Sequence, residues 1–116
     1  MQKVKMKMRV ALYARVSTTR QADNELSIPD QLRQMREWCK RNGHIVAHEY
    51  VEAGASATDD KRPEFQEMIA AGVEKHAPFQ AVIVHSYSRF FRDLAQAVFY
   101  ERRLNKSGVD LVSITQ

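Results

Sequence analysis

Four short apolar, β-prone runs alternate with three helical patterns, and this order most restricts what the chain can fold into. Residues 8–14 (MRVALYA), 45–51, 81–85 (AVIVH) and 109–114 read as strands. Residues 27–42, 63–75 and 88–106 read as helices. Ser27 suits an N-cap, Pro29 a first turn, and Gly43 a C-terminal stop. Ile28, Leu32, Met35 and Cys39 recur at helical spacing, so they form a buried stripe. Phe65, Met68, Ile69, Gly72 and Val73 form a second stripe. Gly108 closes the third helix. The AVIVH run is apolar enough to be covered on both faces. Strand–helix alternation of this kind predicts an α/β fold: a mostly parallel sheet of about four strands, helices on both faces, and right-handed crossovers.

Composition narrows the function classes. The length of 116 residues suits one domain, spanning 1–116. Hydrophobic residues at 44% and charged residues at 28% argue against disorder. No apolar run reaches the roughly 20 residues a membrane span needs, so no membrane partner is expected. The basic start, MQKVKMKMRV, lacks the apolar stretch of a secretory signal, and a cytoplasmic location is expected. A single cysteine, Cys39, excludes an internal disulfide framework and any multi-cysteine metal site. His44 and His48 lie about 13 Å apart along a strand, which makes a shared metal improbable. Neither a P-loop, nor a dinucleotide fingerprint, nor a GxSxG elbow is present. A net charge of +4 allows a polyanionic partner. The chain ends directly after its fourth strand, which suggests a fragment of something longer.

In a parallel sheet the carboxyl ends of the strands share one edge, and ligands gather there. Three segments reach it: the one after the first strand, the polar loop 52–62 pivoting at Gly54, and the one after the third strand. They bring Arg15, Arg20, Arg62, Arg89 and Arg92 together with Ser17, Ser56, Ser86 and Ser88. Arg89 and Arg92 are spaced i, i+3 in the first turns of the third helix, where cations are unhelpful to the isolated helix. They call for an anionic partner, and guanidinium forks match phosphate oxygens. Each residue also has a plain reading. A lone arginine at a strand end is usually a solvated charge. Ser17 suits a turn, Ser88 a helix cap, and Glu52 a loop charge. Tyr13 suits a core ring with its hydroxyl at the rim. Cys39 and Trp38 suit packing. The convergence of five arginines is harder to dismiss.

At Tyr13-Ala-Arg15-Val-Ser17 the chain resembles the catalytic domain of the serine recombinases, the resolvase/invertase family. The resemblance continues through Gln21 and Ser27-Ile-Pro-Asp-Gln31, in the style of large serine integrases and transposon recombinases. It extends through Glu52-Ala-Gly-Ala-Ser56, Lys61-Arg62-Pro63 and Ser88-Arg89-Phe-Phe-Arg92. The family commonly has aspartate at the positions of Glu52 and Ser88 and glycine at that of Ala57. The glutamate keeps the charge; the serine removes a carboxylate.

The resemblance implies site-specific recombination of double-stranded DNA through a covalent 5′-phosphoserine at Ser17, with neither metal nor cofactor. It implies Arg15, Arg89 and Arg92 as the main stabilisers of the reacting phosphate and Arg62 as the next. Tyr13 and Gln21 would position the phosphate or the nucleophile, and Ser88 would stand beside them. The general base stays open. The resemblance also implies homodimers and tetramers in a full-length protein, with a dimerisation helix and a DNA-binding domain following Gln116. An alternative is a non-catalytic phosphate- or nucleic-acid-binding regulatory domain. Ser17, two residues after Arg15, separates the two, because binding alone does not need that hydroxyl. A metal-dependent nuclease is disfavoured, since acidic residues do not cluster at the strand ends.

Overall fold

The computed structural model describes residues 7–16, 26–53, 62–91 and 93–115. Its elements run β1 (Arg9–Val16), α1 (Ile28–Arg41), β2 (Ile45–Ala53), α2 (Pro63–Gly72), β3 (Ala81–Val84), α3 (Tyr87–Phe90), α4 (Leu94–Lys106) and β4 (Asp110–Ser113). The four strands make one parallel sheet in the order β2-β1-β3-β4. The chain moves one way from β1 to β2 and the other way from β2 onward. Crossovers of one hand then put α1 on one face and α2 and α4 on the other.

Strand alternation divides the core accordingly. Val10, Leu12, Ala14, Ala81 and Ile83 meet Leu32, Met35 and Cys39 of α1. Ala11, Tyr13, Val82 and Val84 meet Phe65 and Met68 of α2 and Tyr100 and Leu104 of α4. All four residues of β3 are fully buried, as a strand covered on both faces requires. Burial pushes the Cys39 thiol up to about 11, so it behaves as an unreactive core group.

The helix ends follow their signals. Ser27 accepts a hydrogen bond from Asp30 N–H as the N-cap of α1. Gly43 and Gly108 hold φ of 75° and 80° after α1 and α4, a region where a side chain would be strained.

Three expectations need correction. The third helix is not continuous over 88–106. It is a single turn, α3, followed by extended backbone at Phe91 and a fresh start at Leu94, where Asp93 caps Ala95 N–H. The break lets Phe90 and Phe91, adjacent in sequence, both pack on Phe65, with ring centroids at 5.1 and 5.5 Å. Arg89 lies in the single turn of α3, and Arg92 lies outside the described residues. Ser88 is not an N-cap: α3 begins at Tyr87, with Ser86 before it. Glu52 is not a loop charge: it lies in β2, and its side chain is buried.

Candidate active site

The site lies at the carboxyl edge of the sheet, where β1 outruns β3. Pairing of β1 with β3 ends at Tyr13 and Val84, while pairing with β2 continues to Val16 and Ala53. Tyr13 and Arg15 point to the same face, two residues apart. Arg15 stands opposite Glu52 in the register of β2.

Tyr13, Glu52 and Arg62 form one buried network. The Tyr13 hydroxyl donates to Glu52 Oε1 at 3.2 Å and accepts from Arg62 Nη1 at 3.1 Å. Glu52 also accepts from the backbone N–H groups of Glu64, at 3.2 Å, and Phe65, at 2.9 Å. Its carboxylate thereby caps the start of α2, where Arg62 occupies the N-cap position and offers no side-chain cap. The Arg62 guanidinium lies between the rings of Phe65 and Phe91, at 3.8 and 4.3 Å from their centroids. Burial, more than any charge, pushes the Tyr13 phenol well above its ordinary range, and Arg62 only partly offsets this. The hydroxyl stays protonated and serves as a donor.

Arg15 and Arg89 form a second, reciprocal arrangement. Arg15 is 1% exposed, and its guanidinium donates to the carbonyls of Ser88 at 3.1 Å and Arg89 at 3.3 Å. The Arg89 guanidinium donates back to the Arg15 carbonyl at 2.9 Å. The side chain of each arginine thus holds the backbone of the other's segment, and α3 is latched to the end of β1. Ser88 is exposed, and its hydroxyl lies 3.0 Å from that of Ser86. Nearby, His85 Nε2 meets Gln34 Oε1 at 2.8 Å. Burial chiefly, and then the Arg89 charge, hold His85 below its ordinary value.

Of the residues expected at the edge, Tyr13, Arg15, Arg62, Ser88 and Arg89 are brought together there. Ser17, Arg20, Gln21, Ser56, Ala57 and Arg92 lie outside the described residues. The reading of lone arginines as solvated charges fails for Arg15 and Arg62, both buried. Two contributors escaped the list of site residues. Glu52 holds Tyr13 and α2 together; its place at the head of the Glu52–Ser56 motif and the missing polar cap before Pro63 were its signals. Gln31, buried beside Leu32, bonds the N–H and C=O of Arg15. A polar residue on the stripe of α1 was the clue there.

This arrangement places cationic groups and a buried, protonated phenol beside the strand end that leads into Ser17. It suits an oxyanion with several oxygens, such as a phosphodiester. Among the described residues no cluster of three or more His, Cys, Asp or Glu is placed to hold a metal ion, and no helix is long and apolar enough to cross a membrane.

Comparison with known proteins agrees with this geometry. The family described as Resolvase, N terminal domain matches residues 10–116. No curated protein matches the chain significantly. Among solved structures, the N-terminal catalytic domain of TP901-1 integrase is similar, with a TM-score of 0.80 and 28% identity over 91% of this chain and 76% of that one. A resolvase family site-specific recombinase from Streptococcus pneumoniae gives a TM-score of 0.77 and 27% identity over 93% of this chain and 72% of that one. The C-terminal catalytic domain of ISC1926 TnpA, an IS607-like serine recombinase, shares the fold at a TM-score of 0.79 and 17% identity, over 93% of this chain and 68% of that one. With nearly the whole chain inside the family's pattern and its arginines and tyrosine gathered at one sheet edge, the protein belongs to the resolvase N-terminal domain family and is a site-specific recombinase catalytic domain of the serine type.

Proposed function

We propose that this domain cuts and rejoins double-stranded DNA with Ser17 as the nucleophile. The Ser17 oxygen attacks a backbone phosphorus. Its proton passes to a base, the bond to the 3′-oxygen breaks, and that oxygen leaves as a hydroxyl. DNA stays joined to the protein through a 5′-phosphoserine. Attack by a 3′-hydroxyl from another strand reverses the step and restores the serine. One phosphodiester replaces another, so no external energy source enters the balance.

Arg15, Arg89 and Arg92 would face the phosphate as charge develops on its oxygens. Arg62 and Glu52 would act through Tyr13 as positioning residues, and Gln21 would help place the phosphate or the nucleophile. Ser88 would donate one neutral hydrogen bond. Exchange between two duplexes needs four strand cuts. With one nucleophile per chain, a tetramer built from two dimers would carry it out, in the cytoplasm where the DNA is reached.

The observation that carries this reading is the reciprocal latch in which the Arg15 and Arg89 guanidinium groups each hold backbone carbonyls of the other's segment, at the strand end that leads into Ser17. The test is a denaturing gel of stalled reactions of the full-length recombinase on DNA bearing its target site. Protein attached to a 5′ end is expected, and Ser17→Ala should abolish both attachment and cleavage while binding persists. Attachment that survives in Ser17→Ala would falsify the assignment.

A further inference from the structure

One turn of α1 gathers an arginine and a histidine side by side at the carboxyl edge. Gln31 and Gln34 are neighbours on that helix, spaced i, i+3. Gln31 Nε2 donates to the Arg15 carbonyl at 3.0 Å, and the Arg89 guanidinium donates to the same carbonyl at 2.9 Å. Gln34 Oε1 meets Nε2 of the His85 ring at 2.8 Å. An amide oxygen only accepts, so Nε2 carries the ring's proton, and Nδ1 of the neutral imidazole is an acceptor. The backbone of His85 is pinned as well. Its carbonyl accepts from the hydroxyls of Thr115 at 2.7 Å and Ser113 at 3.4 Å. His85 follows directly on β3 and leads into the turn that carries Ser88 and Arg89.

The groups facing the ring are mostly neutral. From α1 it meets the Gln34 amide, and the end of β4 supplies only hydroxyls. Among the described residues, Arg89 of α3 is the charged group that acts on it. Burial first, and then that charge, favour the neutral ring.

We propose that His85 is a further anion ligand of the recombination site: as a phosphate binds at Arg89, the ring takes up a proton on Nδ1 and donates a hydrogen bond from there to a phosphate oxygen. The proposal rests on Arg89 being a phosphate ligand. It does not require Arg89 to release the Arg15 carbonyl, because a guanidinium carries several N–H donors. The linkage is reciprocal. A negative charge at Arg89 offsets the repulsion that keeps the ring neutral, and a protonated ring adds a second cation to the site. The proton comes from solvent and returns there when the phosphate leaves. Anion affinity therefore rises as pH falls from above the ring's pKa in the bound state to below its pKa in the free protein.

The test uses the 116-residue chain and inorganic sulfate, a dianion that does not titrate in the histidine range, exchanged for chloride at constant ionic strength. NMR spectra follow the imidazole C–H signals against pH and the arginine Nε–Hε signals against sulfate. Sulfate should shift the Arg89 signal and saturate. At saturation the His85 pKa should rise by about one unit, which equals about tenfold tighter binding to the protonated ring. His44 and His76, which precede β2 and β3 at the amino edge, should not move. An Nδ1–H signal of His85, slowed in exchange by its bond, should appear with sulfate. The sulfate affinity of His85→Gln should stay level with pH, while that of the unsubstituted chain rises about tenfold toward acid. The other histidines titrate in both proteins, so the difference belongs to His85.

If sulfate moves the Arg89 signal but the His85 pKa stays put, or rises only as those of His44 and His76 do, His85 is a structural residue and the proposal fails with the reading of Arg89 intact. A raised pKa without the Nδ1–H signal makes the ring a bystander of the bound charge and overturns its assignment as a ligand. If sulfate leaves the Arg89 signal unmoved, or binds Arg89→Ala equally well, it is the reading of Arg89 that fails, and the role of His85 goes with it.

Discussion

The Tyr13 hydroxyl stands between the Glu52 carboxylate and the Arg62 guanidinium, with one hydrogen bond to each. Tyr13→Phe keeps the ring and removes the oxygen, so two buried charged groups each lose a partner. A loss of about 1–3 kcal/mol in stability is expected from urea unfolding. An unchanged midpoint would mean that Glu52 and Arg62 do not depend on the bridge. The contrast between Ser88 and Arg89 belongs at the same scale. Ser88 is exposed and offers one neutral hydroxyl, a contribution of about 1 kcal/mol. A guanidinium facing developing negative charge should supply about 3 kcal/mol or more. Single-turnover cleavage should therefore fall roughly tenfold in Ser88→Ala and a hundredfold or more in Arg89→Ala. Equal defects would overturn this ranking and make Ser88 the proton donor to the leaving oxygen.

Among the elements, the break between α3 and α4 shapes the site most, because it sets α3 on the end of β1. Asp93 starts the second helix by accepting from Ala95 N–H at 2.9 Å. Asp93→Ala should cost about 1 kcal/mol, seen as a fall of roughly 4 °C in melting temperature. No fall at all would show that aromatic packing alone places the start of α4. This break was hidden in the sequence because Phe90 and Phe91 satisfy a helical pattern as well as they satisfy the observed kink. Only their common partner, Phe65, distant in sequence, decides between the two. The strand–helix order was legible because helical stripes separate the apolar runs and glycines, Gly43 and Gly108, precede β2 and β4. Glu52 was not legible for a different reason. β2 carries an extra residue against β1 between the Val10–Val46 and Ala11–His48 pairs. That bulge reverses which residues of β2 face α2, so Tyr50 and Glu52 turn inward. Arg15, Arg62 and Arg89 were legible as an edge cluster from topology alone. Their bonds to backbone and to Tyr13 were not, since those depend on which strand outruns which.

Across the whole molecule, a histidine at each edge of the sheet ties stability to acid: His44 at the amino edge and His85 at the carboxyl edge, both held below the ordinary value chiefly by burial. At the amino edge, His44 is 7% exposed, and its Nδ1 accepts from the Met8 N–H at 3.2 Å. That bond requires the neutral ring, and burial lowers the His44 pKa below the ordinary 6.5. The unfolded chain then takes the proton first. The stability that depends on neutral His44 is full above about pH 7.5 and is lost as pH falls through about 6.5 toward the folded value, by up to roughly 1.4 kcal/mol per unit. Asp30 and Glu49, held ionised mainly by hydrogen bonds from Arg33 and Arg36, act later, as pH falls through the carboxylate range. These exposed pairs carry little weight. Between pH 8 and 5 the loss is therefore histidine-driven, added to the repulsion within a chain already at +4. His44→Gln keeps that background and removes the titration. It should be less stable than the unsubstituted chain at pH 8, and the gap should narrow toward pH 5. Hydrogen exchange should place the difference between the two proteins at Met8, whose N–H His44 accepts, while any change at the carboxyl edge is common to both, because both keep His85. A gap that stays constant from pH 8 to 5 would rule His44 out as the group responsible.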